Sequence, residues 1–399
     1  MNYYMNSLNN SYLAVHTDAL CTNVAAIEKT LSPGAEIIPV LKCDAYGLSL
    51  SLTAPALAAL PGIRTFALAH VSEGLALRAL GIEKDALILG NPLPHAVPDA
   101  VNAHLTLTAG RLGLLPALAA AAEAAQTEVK IQIKIDTGLH RVGVTPGDEL
   151  EALLKELSAA GERIKLAGVY SHFADTAKPE LCRAQAELLL RSAEQVERAG
   201  FAVPMRHICD SAGSEYYPEY HFDAVRLGRR LIMDHPTQPR GNVRECASWR
   251  SCIMAVHRRH AGEKLGYGGV YTLDHDADVA IVGVGYGDGL YLPLVEMHGD
   301  ILVRGERRPL LACCMDQCMV DVTGMEVQAL TARVTPSSRR TLQTSAARTR
   351  GARSRALSRR AWSALSKTKE LTARQRIAVG RIFCYDAVDY NYSVGRARI

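Results

Sequence analysis

The sequence predicts an α/β protein, a TIM (β/α)8 barrel followed by a smaller β-rich C-terminal domain. Three observations predict it. Short apolar runs alternate with helical patterns between Glu36 and Arg226. Polar clusters stand just after several of those runs, where a barrel carries its chemistry. From about Arg244 the helical patterns give way to strand candidates separated by Gly-rich turns. A doubly wound open sheet is the rival arrangement for the first part.

In chain order, Tyr12–Val15 reads as a brief strand and Asp18 as the cap of a helix running to about Leu31. Glu36–Leu41 reads as a buried strand that hands over to a loop at Lys42, and a helix from about Ser49 to Leu60 follows Gly47. Strand candidates recur at Thr65–Leu68, Ala86–Leu89, His104–Thr106, Val129–Ile135, Lys165–Ser171, Met205–Cys209 and Phe222–Arg226. Helical patterns fill the gaps at Val71–Ala79, Gly110–Ala125, Asp148–Ala160, Pro179–Ala199 and Ala212–Tyr217. Eight such units over roughly 220 residues fit one barrel. Pro236, Pro239 and Gly241 mark its end, and Cys252–Arg258, Val279–Val284, Ile301–Val303 and Met319–Val322 are strand candidates of the second domain. The organisation expected is an N-terminal strand in 1–15 packed with the second domain, a barrel over 16–235, a β-rich domain over 236–326 and an atypical basic tail over 327–399.

Composition narrows the function. The chain has 399 residues, 48% of them apolar, enough to bury two cores. Ten cysteines show no C-x-x-C spacing, so neither a zinc nor a redox motif is indicated, and scattered free thiols suit a reducing cytoplasm. The opening residues are polar and the first lysine is Lys29, which argues against a signal peptide. No apolar run approaches the length of a membrane span. The net charge of +4 comes from the tail, because residues 1–326 carry 29 basic and 38 acidic side chains. Eleven Lys or Arg and no acid lie between Val327 and Lys369, but Trp362 is the one aromatic among them, a poor match for nucleic-acid binding.

The polar clusters define a candidate site at one rim. Lys42 follows the first barrel strand, Asp136–Arg141 the fifth, His172 the sixth, Asp210–Ser211 the seventh and Arg226–Gly228 the eighth. A lysine there could hold an aldehyde cofactor. Ser211, opening a short helix, and Gly228, allowing close backbone approach, could cradle its phosphate. Each residue alone has a plainer reading: Lys42 as a solvated strand end, Ser211 as a helix cap, Gly228 and Tyr267 as turn residues.

Together the segments are more specific. Val40-Leu41-Lys42-Cys43-Asp44-Ala45-Tyr46-Gly47 is followed by Lys134–Arg141, Tyr170–Ala174, Asp210–Ala212, Val225–Gly228, Leu265–Gly269, Gly285–Gly289 and Cys314–Gln317. This ordered set resembles the pyridoxal-phosphate-dependent alanine racemases, over roughly Tyr12 to Gly324. The resemblance implies that Lys42 forms the internal Schiff base and is one of two catalytic bases, with Tyr267 the other. It further implies that Tyr46, His172, Ser211, Arg226 and Gly228 bind pyridoxal 5'-phosphate, with Arg226 at the pyridine nitrogen. Arg141, Tyr286 and Met315 would contact a small amino-acid substrate, and no metal is implied. Lys134 matches a lysine that some members carbamylate. A cytoplasmic homodimer with the site shared between subunits is the expected assembly, alanine the expected substrate and serine the alternative.

Several positions depart from the family. Asp210 stands where asparagine is usual, Leu48-Ser49-Leu50 lacks the usual second glycine, and Arg229-Arg230 interrupts an apolar run. The basic tail replaces the family ending, so a cofactor-binding barrel without turnover is the further alternative.

Overall fold

The structure, a computed structural model, describes residues 10–234, 242–296, 299–327 and 333–336. These fall into two compact units. One runs from His16 to Cys246, and the other combines strand β1 (Ser11–Val15) with the chain from Ala247 onward.

The first unit is a closed ring of eight parallel strands. β2 (Glu36–Pro39) is followed by β3 (Thr65–Leu68), β4 (Asp85–Ile88), β5 (Thr106–Ala109), β6 (Val129–Lys134), β7 (Ile164–Tyr170), β8 (Arg206–His207) and β9 (Ala224–Leu227). Strands β3 to β8 hydrogen-bond in sequence order, and β2 pairs with β9 from Glu36 opposite Ala224 to Pro39 opposite Leu227. Closure comes at two seams. Val40, just past β2, bridges Ala67 in β3. On the other side the Arg226 N–H donates to the Cys209 carbonyl across 3.0 Å. A doubly wound sheet would keep two open edges, so the rival arrangement is excluded.

The helices outside the ring follow the apolar periodicity. Asp148–Ala159 buries Leu150, Leu153, Leu154 and Leu157, spaced to share one face, and its first turn carries Asp148, Glu149 and Glu151 toward the positive end of the helix dipole. Each leucine so buried is worth about 1.5–3 kcal/mol. Pro179–Arg198 starts on its proline, where the missing N–H costs nothing, and buries Cys182, Ala186, Leu189, Ala193 and Val196.

Some elements lie elsewhere than expected. The first helix is Thr17–Glu28, with His16 at its cap and Asp18 inside its first turn. The strand expected at His104–Thr106 is Thr106–Ala109, because a helix at Val97–Asn102 precedes it and His104 turns the chain with φ of 49°. The helix expected from Gly110 begins at Leu115: Gly113 has φ of 75°, and Pro116 suits a first helical turn.

The second unit is antiparallel. It contains β10 (Ala247–Arg259), β11 (Lys264–Leu265), β12 (Tyr271–Thr272), β13 (Ala277–Val282), β14 (Asp300–Val303), β15 (Glu306–Cys313), β16 (Cys318–Asp321) and β17 (Arg333–Pro336). The order β1-β10-β13-β16-β15-β14-β17 closes on itself, because β17 also pairs with β10. Ile253, Val282, Ile301, Val303 and Val320 are buried within it. β15 and β17 were not among the strand candidates; β17 lies inside the segment read as the basic tail. Pro236, Pro239, Gly241 and the tail after Pro336 lie outside the described residues. Among the described residues no helix is long and apolar enough to cross a membrane, and no cluster of three His, Cys, Asp or Glu could hold a metal.

Candidate active site

Lys42 begins an unusual turn. Cys43, Asp44, Ala45 and Tyr46 all have φ between 54° and 57°, one turn of left-handed helix. Each such residue costs about 1–2 kcal/mol, so the turn persists only if its surroundings hold it. Glu73 braces it. One of its carboxylate oxygens accepts from the Cys43 N–H at 2.7 Å and the other from the Ala69 N–H at 2.8 Å. Asp44 accepts from the Leu50 N–H at 2.8 Å and starts the next helix. Residues four apart share one face of such a turn, and the Lys42 Nζ lies 6.0 Å from the centroid of the Tyr46 ring.

Tyr46 leads to the next group. A Cβ on Gly228 would lie 2.0 Å from the Tyr46 hydroxyl, so only glycine lets the tyrosine reach this backbone. Ser211 joins them, its Oγ accepting from the Gly228 and Arg230 N–H groups, each at 3.3 Å. The sequence predicts that Ser211 opens a short helix, and the structure corrects this: Ser211 lies before the helix cap, Ala212. The short helix Gly213–Tyr216 begins two residues later, and Asp210 accepts from the Gly213 N–H at 2.8 Å. Arg230, one of the two arginines that interrupt an apolar run, is buried here. It is 5% exposed with its Nε 2.9 Å from a Glu215 oxygen, a buried charge matched by its opposite.

The barrel interior centres on Arg226. Its Nη2 donates to the Ser171 carbonyl at 2.7 Å, the Ile208 carbonyl at 2.9 Å and His172 Nδ1 at 3.0 Å. Its Nη1 donates to His207 Nδ1 at 2.5 Å. The guanidinium and the Lys134 ammonium approach the Tyr170 ring to 5.3 Å and 5.2 Å. Burial, followed by Arg226 and Arg141, lowers the Lys134 pKa to about 7. Lys42 is also lowered, first by burial and then by Arg141. Burial lowers His172 as well, and Arg226, Lys134 and Arg141 act in the same direction against Asp210, whose carboxylate is 4.0 Å away. Four cationic side chains thus act on one mouth, and a ligand carrying phosphate or carboxylate would relieve their repulsion.

Of the residues predicted from the sequence, Lys42, Tyr46, Arg141, His172, Ser211, Arg226 and Gly228 belong to this first unit. Tyr267, Tyr286 and Met315 belong to the second. There the Tyr286 N–H donates to the Cys314 carbonyl at 3.0 Å and the Gly287 N–H to the Met315 carbonyl at 2.7 Å, locking two loops together. Tyr267 stands in the tight turn after β11 and is 76% exposed. That turn packs near β15, since a Cβ on Gly266 would lie 2.9 Å from the Ala312 Cβ. Sequence reasoning missed Glu73, Gln132 and His207. His207 left one signal, a histidine inside an otherwise plausible barrel strand; Glu73 left none, because its partner Cys43 lies 30 residues away.

Residues 15–236 match the family model described as alanine racemase, N-terminal domain, and residues 246–356 match alanine racemase, C-terminal domain. The chain belongs to the alanine racemase family. Among its relatives, the alanine racemase of Desulforamulus reducens is 31% identical over 315 residues, covering 77% of this chain and 84% of that one. The alanine racemase of Desulfovibrio desulfuricans is 33% identical over 307 residues, covering 75% and 82%. Among solved structures, the alanine racemase from the D-cycloserine producer Streptomyces lavendulae aligns with a TM-score of 0.75 at 28% identity, covering 82% of this chain and 87% of that one. The alanine racemase of Clostridium difficile aligns with a TM-score of 0.75 at 25% identity, covering 82% and 86%. The C-terminal alanine racemase model extends 20 residues past Pro336, into the basic segment.

Proposed function

We propose that the protein interconverts L- and D-alanine with pyridoxal 5'-phosphate, using Lys42 and Tyr267 as its two bases. The observation that carries this reading is the Lys42 turn: a costly backbone conformation that sets a half-buried amine of lowered pKa beside the Tyr46, Ser211 and Gly228 cradle. The cradle fits the cofactor. Tyr46 and Ser211 hydroxyls and the Gly228 backbone would hold the phosphate, Lys42 Nζ the aldehyde carbon and Arg226 the ring nitrogen. Among the described residues the side-chain hydrogen bonds of Arg226 leave from Nη1 and Nη2, which would keep Nε for such a contact.

When bound, the cofactor supplies the electron sink that acidifies the Cα–H of an amino acid. The chain supplies proton transfer and placement. Lys42 Nζ would take or return the Cα proton on one face, and Tyr267 Oη would do the converse on the other. A lysine near its ordinary value of about 10.4 is almost fully protonated at neutral pH, and burial and Arg141 shift Lys42 in the direction that a base requires. Arg226 cannot give up its proton to the ring nitrogen, whereas a carboxylic acid could, and this restricts side reactions such as transamination. Arg141 and the Met315 backbone would bind the substrate carboxylate, with Tyr286 bordering it.

Tyr267, Val270, Leu292 and Met315 are 76%, 66%, 49% and 61% exposed. We propose that a second copy of the chain covers these side chains and that Tyr267 of one copy serves Lys42 of the other. The protein would work in the cytoplasm, where the nine described cysteines remain as the free thiols they are here. Incubation with L-alanine and assay of D-alanine, then the reverse, tests the activity. Turnover lost in both Lys42→Ala and Tyr267→Phe supports the reading; turnover unchanged in Tyr267→Phe removes the second base.

A further inference from the structure

Three buried polar side chains form a chain across the barrel interior. Gln132 on β6 is 3% exposed, His207 on β8 is 0% exposed and Arg226 on β9 is 4% exposed. Arginine has donors only, so Arg226 Nη1, at 2.5 Å from His207 Nδ1, must donate and Nδ1 must accept. A neutral histidine accepting at Nδ1 carries its hydrogen on Nε2. That nitrogen is 2.7 Å from Gln132 Oε1, which accepts. Reversing the Gln132 amide would set its NH2 against the Nε2 hydrogen, donor against donor. Its present direction leaves the amide nitrogen toward Met205 Sδ at 4.0 Å, a weak acceptor that imposes no competing demand. The imidazole stacks on Tyr170 with centroids 4.8 Å apart and planes 14° apart, so it cannot swing to find another partner. An imidazolium would aim a second N–H at the guanidinium. Burial, then Arg226 and Lys134, opposes that charge.

We propose that Gln132 is a positioning residue: by accepting from His207 Nε2 it holds His207 in the tautomer that accepts from Arg226, and so holds Arg226 Nε toward the cofactor ring. This rests on the reading that Arg226 meets the ring nitrogen. Deprived of its acceptor, the imidazole can shift its hydrogen to Nδ1. That would oppose the Arg226 Nη1 donor and let the guanidinium rotate.

Nitrogen-15 spectra of the histidine-labelled holoenzyme read the tautomer directly. His207 should appear as the Nε2–H form from about pH 6 to about pH 9, a window in which free histidine loses its charge. Gln132→Met removes the acceptor while keeping the length. It should give mixed tautomers, a moved pH midpoint for the visible band of the bound cofactor, and kcat about tenfold lower with KM held within about twofold, matching one hydrogen bond's net worth. An Nδ1–H or doubly protonated His207 in the unaltered enzyme would overturn the proposal whether or not the variant folds. So would a folded Gln132→Met with unchanged spectra and kcat. Failure of the Arg226 reading is distinguishable: His207 would then keep its tautomer, and Gln132→Met would alter it without moving the visible band.

Discussion

The Tyr46 hydroxyl fills the space where a side chain on Gly228 would begin, 2.0 Å from the position of a Cβ. Two segments far apart in sequence are thereby brought into contact. Gly228→Ala must push Tyr46 or the backbone aside, because the ring carbons behind the hydroxyl are also within 2.7 Å. Cofactor affinity, followed by fluorescence titration of stripped protein, should fall about tenfold or more, the scale of one lost charge-assisted contact. Unchanged affinity would mean that this cradle does not hold the phosphate.

Glu73 is the brace of the left-handed turn. Glu73→Ala leaves the Cys43 and Ala69 N–H groups without their carboxylate, at a cost of about 1–3 kcal/mol for a lost partner. The urea midpoint should drop accordingly, and racemisation should fall further than the unfolded fraction explains, because Lys42 begins the turn. A variant with wild-type turnover per folded molecule would show that the turn does not position the amine.

Lys134 gives a pH signature. Its pKa in the fold is about 7, whereas an unfolded lysine titrates near 10.4. Between those values the unfolded chain binds more protons, so this residue makes stability rise with pH across that window and leaves it flat below. Urea midpoints at about pH 7 and about pH 9 should therefore diverge in the wild type and converge in Lys134→Met. The same depressed value leaves a large uncharged fraction above pH 7, the form that reacts with carbon dioxide. Intact mass spectrometry in bicarbonate should show a carbamate that Lys134→Met lacks.

A substitution at Tyr267 tests the proposed second base. Tyr267→Phe keeps the ring and removes the acid, so cofactor loading should match the wild type while racemisation falls about 10²–10⁴-fold, the usual worth of a positioned acid or base. Equal loss of loading and turnover would assign Tyr267 to the cradle instead.

Much of the barrel was legible because strands such as Thr65–Leu68 and Asp85–Ile88 are short, mostly apolar runs. Thr65–Leu68, closed in by Gly62 and His70, was read to the residue. β15 escaped because it opens on Glu306-Arg307-Arg308-Pro309, three charged residues and a proline, on a stretch that is largely exposed. The site residues at strand ends could be nominated from order and chemistry. Their supports could not: nothing in Cys43-Asp44-Ala45-Tyr46 announces a left-handed turn, since Glu73 enforces it from a distant helix. His207 and Gln132 read as ordinary strand residues until the ring closes and sets them edge to edge.

The most direct test is chemical. Borohydride treatment of the holoenzyme makes the link between cofactor and protein permanent, and digestion followed by peptide mass mapping locates it. The account predicts a pyridoxyl group on Lys42 alone, absent from Lys42→Ala. A label on Lys134 or another lysine, or none at all in protein that binds the cofactor, would contradict it.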